Sequence, residues 1–355
     1  MKESQKTRNN KIKVIIKEFC SWIGAIAIGV AVTSFFVLIY NYTGTHIKND
    51  NGATDYKWEP NQYQATMVEG NAWIHLDDEG FNNLSKPENI DILLMGASHM
   101  EAAMIPQNKN TGYLLDEGLD GLHTYNIGMS GHELLTCLDN LEAAIETYHP
   151  KKYIIIQSGN LSFDDESLTR TIDGQLNEIP SFDSGIIFWL QKIPTIKVSF
   201  KQVSEKFEKD FSSTNFFIPK RIKNNAIFAK KEEGSFSWNR ELLGTLLKEK
   251  SEYCHKCGIQ LILAYTPSVS VDKYLNQLVR NDLSGLSEYM KSICDDSDIV
   301  FVDSFDDFQE AYENHQKFPF GFNNTKPFVG HLNEDGHGLL ANRLVATIIQ
   351  LEANQ

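Results

Sequence analysis

The chain has 355 residues, 41% hydrophobic and 23% charged, which excludes a disordered or collagen-like chain and leaves room for one large domain or two small ones. Lys plus Arg number 33 against 47 Asp plus Glu, for a formal net charge of −14. That balance argues against nucleic-acid binding, because affinity for a phosphate backbone comes from basic side chains releasing counterions.

The charge is unevenly placed. Residues 1–21 carry Lys2, Lys6, Arg8, Lys11, Lys13 and Lys17 against only Glu3 and Glu18. Next comes Trp22–Tyr40, WIGAIAIGVAVTSFFVLIY, without a charge. About 20 apolar residues span the hydrocarbon core as a helix, and Trp22, Tyr40 and Tyr42 at its ends suit the interface. A basic flank on the N-terminal side predicts a cytoplasmic tail over 1–21, a transmembrane helix over 22–42 and an extracytoplasmic remainder. A cleaved signal peptide is the alternative, but its apolar region is typically about 7–15 residues followed by small residues. Here the bulky Tyr40-Asn41-Tyr42 follows.

Residues 43–88, polar with scattered aromatics, read as a linker or stalk that partly packs on the domain. From residue 89 to 355 strand and helix signals alternate, as in an open parallel α/β sheet. Five apolar runs predict buried strands: Ile90–Met95, Thr124–Ile127, Tyr153–Gln157, Gln260–Tyr265 and Ile299–Asp303. Helical patterns cover Leu134–Tyr148, Arg240–Cys257, Leu283–Cys294 and Glu334–Leu351. A mixed stretch at about 161–238 reads as an inserted helical subregion. Cys254 and Cys257 form one C-x-x-C without a second ligand pair, so a zinc site is not expected, and a local disulfide or two free thiols both remain open.

Ligands of open α/β sheets bind outside the carboxyl ends of the strands, which directs attention to the residues just after each run. Gly96-Ala97-Ser98-His99 follows the first. Its serine is placed either as a nucleophile or as a plain helix N-cap. Asn126-Ile127-Gly128-Met129-Ser130-Gly131 follows the second and lacks the three-glycine spacing of a dinucleotide fingerprint. Ser158-Gly159-Asn160 follows the third. Gly330-His331-Leu332-Asn333-Glu334-Asp335-Gly336-His337 precedes the last helix, where a histidine can serve as general base. His331 and His337 find no further ligands nearby for a metal, and no cofactor is expected.

Together these four elements resemble the blocks of the SGNH (GDSL-like) hydrolase superfamily, in the same chain order and over residues 89–352. The resemblance implies a flavodoxin-like three-layer α/β sandwich around a parallel sheet of about five strands. It also implies Ser98 as nucleophile, His331 as base, and an oxyanion hole from the Ser98 and Gly131 amides with the Asn160 side chain. The family's carboxylate three residues before the histidine is replaced by Phe328; a backbone carbonyl or Asp303 is the candidate substitute. His132 stands where the family often has Asp, and Gly159 directly precedes Asn160. The topology resembles that of membrane-anchored members that work beside a multi-span O-acyltransferase. It implies an acyl esterase or O-acyltransferase, with O-acetyl groups on an envelope or exopolysaccharide as the expected substrate. D-alanyl transfer to teichoic acid, or a non-catalytic scaffold that binds glycan, is the alternative.

Overall fold

The structure, a computed structural model, describes residues 2–42, 46–48, 56–161, 168–169, 171, 240–272 and 274–354. The inserted helical subregion expected at about 161–238 falls almost wholly outside the described residues. Two units are distinguished along the chain.

In the first, helix α1 covers Lys2–Tyr40 and is followed by the short strand β1 (Asn41–Tyr42). Its segment Lys13–Ile39 is 27 residues long and apolar enough to cross a membrane. At 1.5 Å per residue this is about 40 Å of helix, more than the ~30 Å hydrocarbon core requires.

The second unit begins with two antiparallel pairs. Strands β2 (His46–Lys48) and β3 (Tyr56–Trp58) form one, and β4 (Tyr63–Thr66) and β5 (Ala72–His75) the other. Then come β6 (Ile92–Gly96), α2 (Ser98–Glu101), α3 (Thr111–Gly118), β7 (Thr124–Asn126), α4 (Leu134–Asp139), α5 (Leu141–Tyr148) and β8 (Tyr153–Ser158). After the insertion lie α6 (Arg240–Lys256), β9 (Gln260–Tyr265), the hairpin β10 (Val269–Asp272) and β11 (Gln277–Arg280), α7 (Leu286–Asp296), β12 (Val300–Asp303), α8 (Phe305–His315) and α9 (Glu334–Ala353).

All five predicted strand runs enter one parallel sheet, in the order β12-β9-β8-β6-β7. Numbered along the chain within that sheet, this is the flavodoxin-like order 2-1-3-4-5. Strands β6 and β8 are buried along their whole length, which explains why they read as unbroken apolar runs. Successive side chains point to opposite faces. Leu93, Met95, Ile154, Ile156, Leu261 and Leu263 therefore meet α4 to α7 on one side. Ile92, Leu94, Ile155, Ile262 and Val302 meet α3, α8 and α9 on the other. Each fully buried Leu or Ile contributes about 1.5–3 kcal/mol, so the three layers are held mainly by these two apolar seams.

Three local outcomes add to the sequence pattern. The helix expected over 134–148 breaks at Asn140, whose side-chain amide donates to the Thr136 carbonyl at 2.9 Å, competing with the helical ladder. Residues 58–81, read as part of a linker or stalk that partly packs on the domain, supply Trp58, Ala72, Ile74, Leu76 and Phe81 to the core. Cys254 and Cys257 are both free thiols, the first buried and the second exposed.

Candidate active site

In the 2-1-3-4-5 order the sheet reverses direction of winding between β6 and β8, and the crevice at their carboxyl ends is the site the topology offers. Ser98 opens the one-turn helix α2 two residues after β6, and Gly159-Asn160 follows β8. A Cβ added at Gly159 would lie 3.3 Å from Cε1 of His99, so the loop after β8 packs against the residue that follows Ser98. The ring of His99 is in turn 5.6 Å, centroid to centroid, from that of His331. Ser98, Gly159-Asn160 and His331 are thus drawn to one rim. The side chains of Ser98 and His331 share no hydrogen bond in this structure; such bonds commonly tighten only when substrate is bound.

The loop after β7 closes the other side. The His132 N–H donates to the Met129 carbonyl at 3.0 Å, and Gly131 has φ +91°. This is a type II turn, which requires a positive φ at its third residue and so selects glycine. The N–H groups of Ser98 and Gly131 have no partner among the described residues. The Asn160 backbone is fixed by Ser158, whose Oγ donates to the Asn160 carbonyl at 2.6 Å and accepts from its N–H at 3.2 Å.

A carboxylate does meet His331, from a distant part of the chain. Glu69, in the turn joining β4 to β5, places Oε2 2.9 Å from Nδ1 of His331. Its Oε1 accepts the His331 backbone N–H at 2.7 Å. The Oε2 approach is an ion-pair contact, off the direction of an ideal ring N–H hydrogen bond. Gly330 makes this possible, because a Cβ there would sit 2.0 Å from Glu69 Oε1. Asp303, the candidate acid from sequence, is committed elsewhere. One of its oxygens pairs with Arg280 at 2.8 Å and binds Ser287, and the other accepts the Phe305 N–H at 2.9 Å. Phe328 has φ +63° and turns its ring into an aromatic cluster with Phe318 and Tyr312, at 5.1 and 5.8 Å. Sequence reasoning missed Glu69 because its turn carries no motif and lies 262 positions from its partner.

Two other histidines border the site in neutral form. Burial, and then the nearby His331, push the His99 pKa down to about 3. His337 is fully buried, accepts the Thr111 N–H on Nδ1 at 3.3 Å and lies 2.8 Å from Thr111 Oγ1. Its pKa is also pushed down to about 3, chiefly by burial. His337 is thus a packing residue. No group of three or more metal-ligating side chains occurs among the described residues.

No protein-family model matches the sequence, and no curated protein matches it. Solved structures do resemble it. An acetyl xylan esterase, AlAXEase, has 12% identity and a TM-score of 0.40, covering 73% of this chain and 100% of that one. A member of the lipolytic protein G-D-S-L family from Veillonella parvula has 14% identity and a TM-score of 0.37, covering 72% and 97%. A psychrotrophic esterase, EstA, from Pseudoalteromonas has 13% identity and a TM-score of 0.36, covering 74% and 99%. The activities in those names belong to those proteins.

Proposed function

We propose that the chain is a membrane-anchored, outward-facing serine acyl esterase or O-acyltransferase that acts on acyl groups, acetyl foremost, of an envelope polysaccharide. The observation that carries this reading is a histidine with a carboxylate at Nδ1, next to the strand-end turn that bears Ser98. A carboxylate at Nδ1 favours the tautomer with its proton there and leaves the Nε2 lone pair free to act as a base. Ser98 Oγ attacks the ester carbonyl carbon as Nε2 takes its proton. The Ser98 and Gly131 amides, with the Asn160 side chain, receive the negative charge of the tetrahedral intermediate. Its collapse breaks the ester C–O bond, and the imidazolium returns the proton to the leaving alkoxide. An acyl-Ser98 remains. Attack by water releases the free acid, while attack by a sugar hydroxyl moves the acyl group to a new oxygen.

The polymer is inferred from setting. The apolar helix α1 with its basic N-terminal flank would hold the domain outside, beside envelope glycans and a multi-span acyltransferase partner. The acidic balance disfavours a polyphosphate at low salt, which favours acetylated glycan over teichoic acid.

The test is hydrolysis of 4-nitrophenyl acetate by the full-length protein, with a fluorophosphonate probe to mark the nucleophile. Wild type is expected to turn over and to be labelled on Ser98, and Ser98→Ala to do neither. Equal rates in both preparations would sink the proposal.

A further inference from the structure

The mechanism leaves the buried carboxyl nearest Ser98 in sequence unused. Glu101 is the last residue of α2, three positions after Ser98, and is 3% exposed. Burial pushes its pKa up, opposed by its hydrogen bonds and by the nearby His331. Oε1 accepts the Trp58 indole N–H at 2.7 Å. Oε2 accepts the Ser130 backbone N–H at 2.7 Å and also binds the Ser130 hydroxyl. Ser130 is the second residue of the type II turn whose third residue is Gly131.

Resting on the esterase reading above, we infer that Glu101 is a positioning residue that locks the Ser130-Gly131 peptide and so aims the Gly131 N–H at the oxyanion. Type I and type II turns share the same closing hydrogen bond and differ by a flip of the central peptide, here the one that contains the Gly131 N–H. By holding Ser130 through both backbone and hydroxyl, Glu101 fixes the corner from which that peptide departs. Because Glu101 and Ser98 share one helical turn, nucleophile and oxyanion donor become parts of a single rigid piece. Gly128 packs this loop onto the same turn, since a Cβ there would lie 2.8 Å from the Glu101 backbone nitrogen.

The chemistry calls for a carboxylate. Trp58 and Ser130 both present N–H donors, one to each oxygen, so both positions must accept. Glutamine would turn its NH2 toward one of them and leave two donors facing each other. Without the lock the turn samples both peptide orientations, and the donor is lost from part of the population. Such a change acts on the transition state, where the negative charge exists, and leaves ground-state binding intact.

The experiment measures kcat and KM for 4-nitrophenyl acetate, together with the rate of fluorophosphonate labelling. It compares the full-length protein with Glu101→Gln, Glu101→Gln/Trp58→Phe and Ser98→Ala. Removing an oxyanion donor costs about 10²–10³ in kcat, and a partial loss of roughly tenfold to a hundredfold is expected for Glu101→Gln, with KM within about twofold. Labelling should slow in parallel. Trp58→Phe removes the competing donor and lets the glutamine oxygen face Ser130, so the double variant should regain part of kcat. A folded Glu101→Gln protein with wild-type kcat, or with a change in KM alone, overturns the inference. Should that variant not fold, Ser130→Ala carries the test, because it deletes one of the two bonds to Oε2. A several-fold fall in kcat at constant KM supports the lock, and an unchanged kcat overturns it. Ser98→Ala separates the two readings. If it stays fully active, the esterase assignment fails; if it is inert while the Glu101 variants match wild type, only the lock fails.

Discussion

His331 would be a poor base alone, because nothing would select its tautomer or support the imidazolium that forms during attack. In the mechanism proposed above Glu69 is the group that supplies both, from 2.9 Å, and its second oxygen holds the His331 backbone. Glu69→Gln keeps the shape and removes the charge. It should lower kcat roughly 10²–10⁴-fold, by analogy with loss of the acid in other triads, at nearly constant KM. Steady-state kinetics on 4-nitrophenyl acetate check this, and a variant within twofold of wild type would remove Glu69 from the mechanism. Phe328 shows why a block pattern read residue by residue misleads here. Its positive φ and its contacts with Phe318 and Tyr312 place the side chain in an aromatic cluster, and the carboxylate that meets His331 comes from Glu69 instead.

Glu69 meets His331 only because a whole element is seated. The β4–β5 hairpin is gripped at its base by Gln107, which hydrogen-bonds both the N–H and the carbonyl of His75, at 3.1 and 2.8 Å. Its tip is gripped by Asn324, from the loop that leads to His331. Asn324 Nδ2 donates to the Met67 carbonyl at 2.9 Å and the Gly70 carbonyl at 2.7 Å, and Oδ1 accepts the Gly70 N–H at 3.1 Å. These three bonds bracket Glu69 and tie its turn to the histidine loop. At about 1 kcal/mol net for each bond, Asn324→Ala releases the tip without touching the core. The expected outcome is a fall in kcat of roughly tenfold with an unchanged far-ultraviolet circular dichroism spectrum. Full activity in that variant would show that the tip holds its place unaided.

At the scale of the molecule, the sheet order sets which loops can meet. Its winding reverses between β6 and β8, so the loops after them open on one crevice, flanked by the loop after β7. The three-layer core around that sheet also encloses His337, which stays neutral in the fold although it titrates near 6.5 when exposed. A depressed histidine pKa means that the unfolded chain binds the extra proton between about pH 6.5 and 3. Stability from this group is therefore complete above about pH 6.5 and is lost as the pH falls. Replacing it isolates the effect from the buried carboxyls, several of which shift in the opposite sense. Between about pH 6 and 4, the unfolding free energy of His337→Gln should fall less steeply than that of wild type, by up to about 1.4 kcal/mol per pH unit. Urea unfolding across that range measures it, and parallel slopes would contradict the assignment.

Much of this architecture was legible in the sequence because it depends on neighbours along the chain. Unbroken apolar runs became the buried strands, the uncharged stretch became the C-terminal half of α1, and short Ser-, Gly- and His-bearing segments marked the strand ends and helix starts. Alternation and turn chemistry are local properties, so a single chain displays them. Glu69 shows the limit. It meets His331 across 262 positions, through a hairpin whose packing, tip clamp and close approach at Gly330 depend on residues from three distant segments. The same holds for the capture of Asp303 by Arg280, and for Glu101 meeting Ser130 and Trp58 in the interior. A sequence names the side chains able to do the chemistry. Only the folded chain decides which carboxylate reaches which partner, because that choice turns on a few ångströms set by packing.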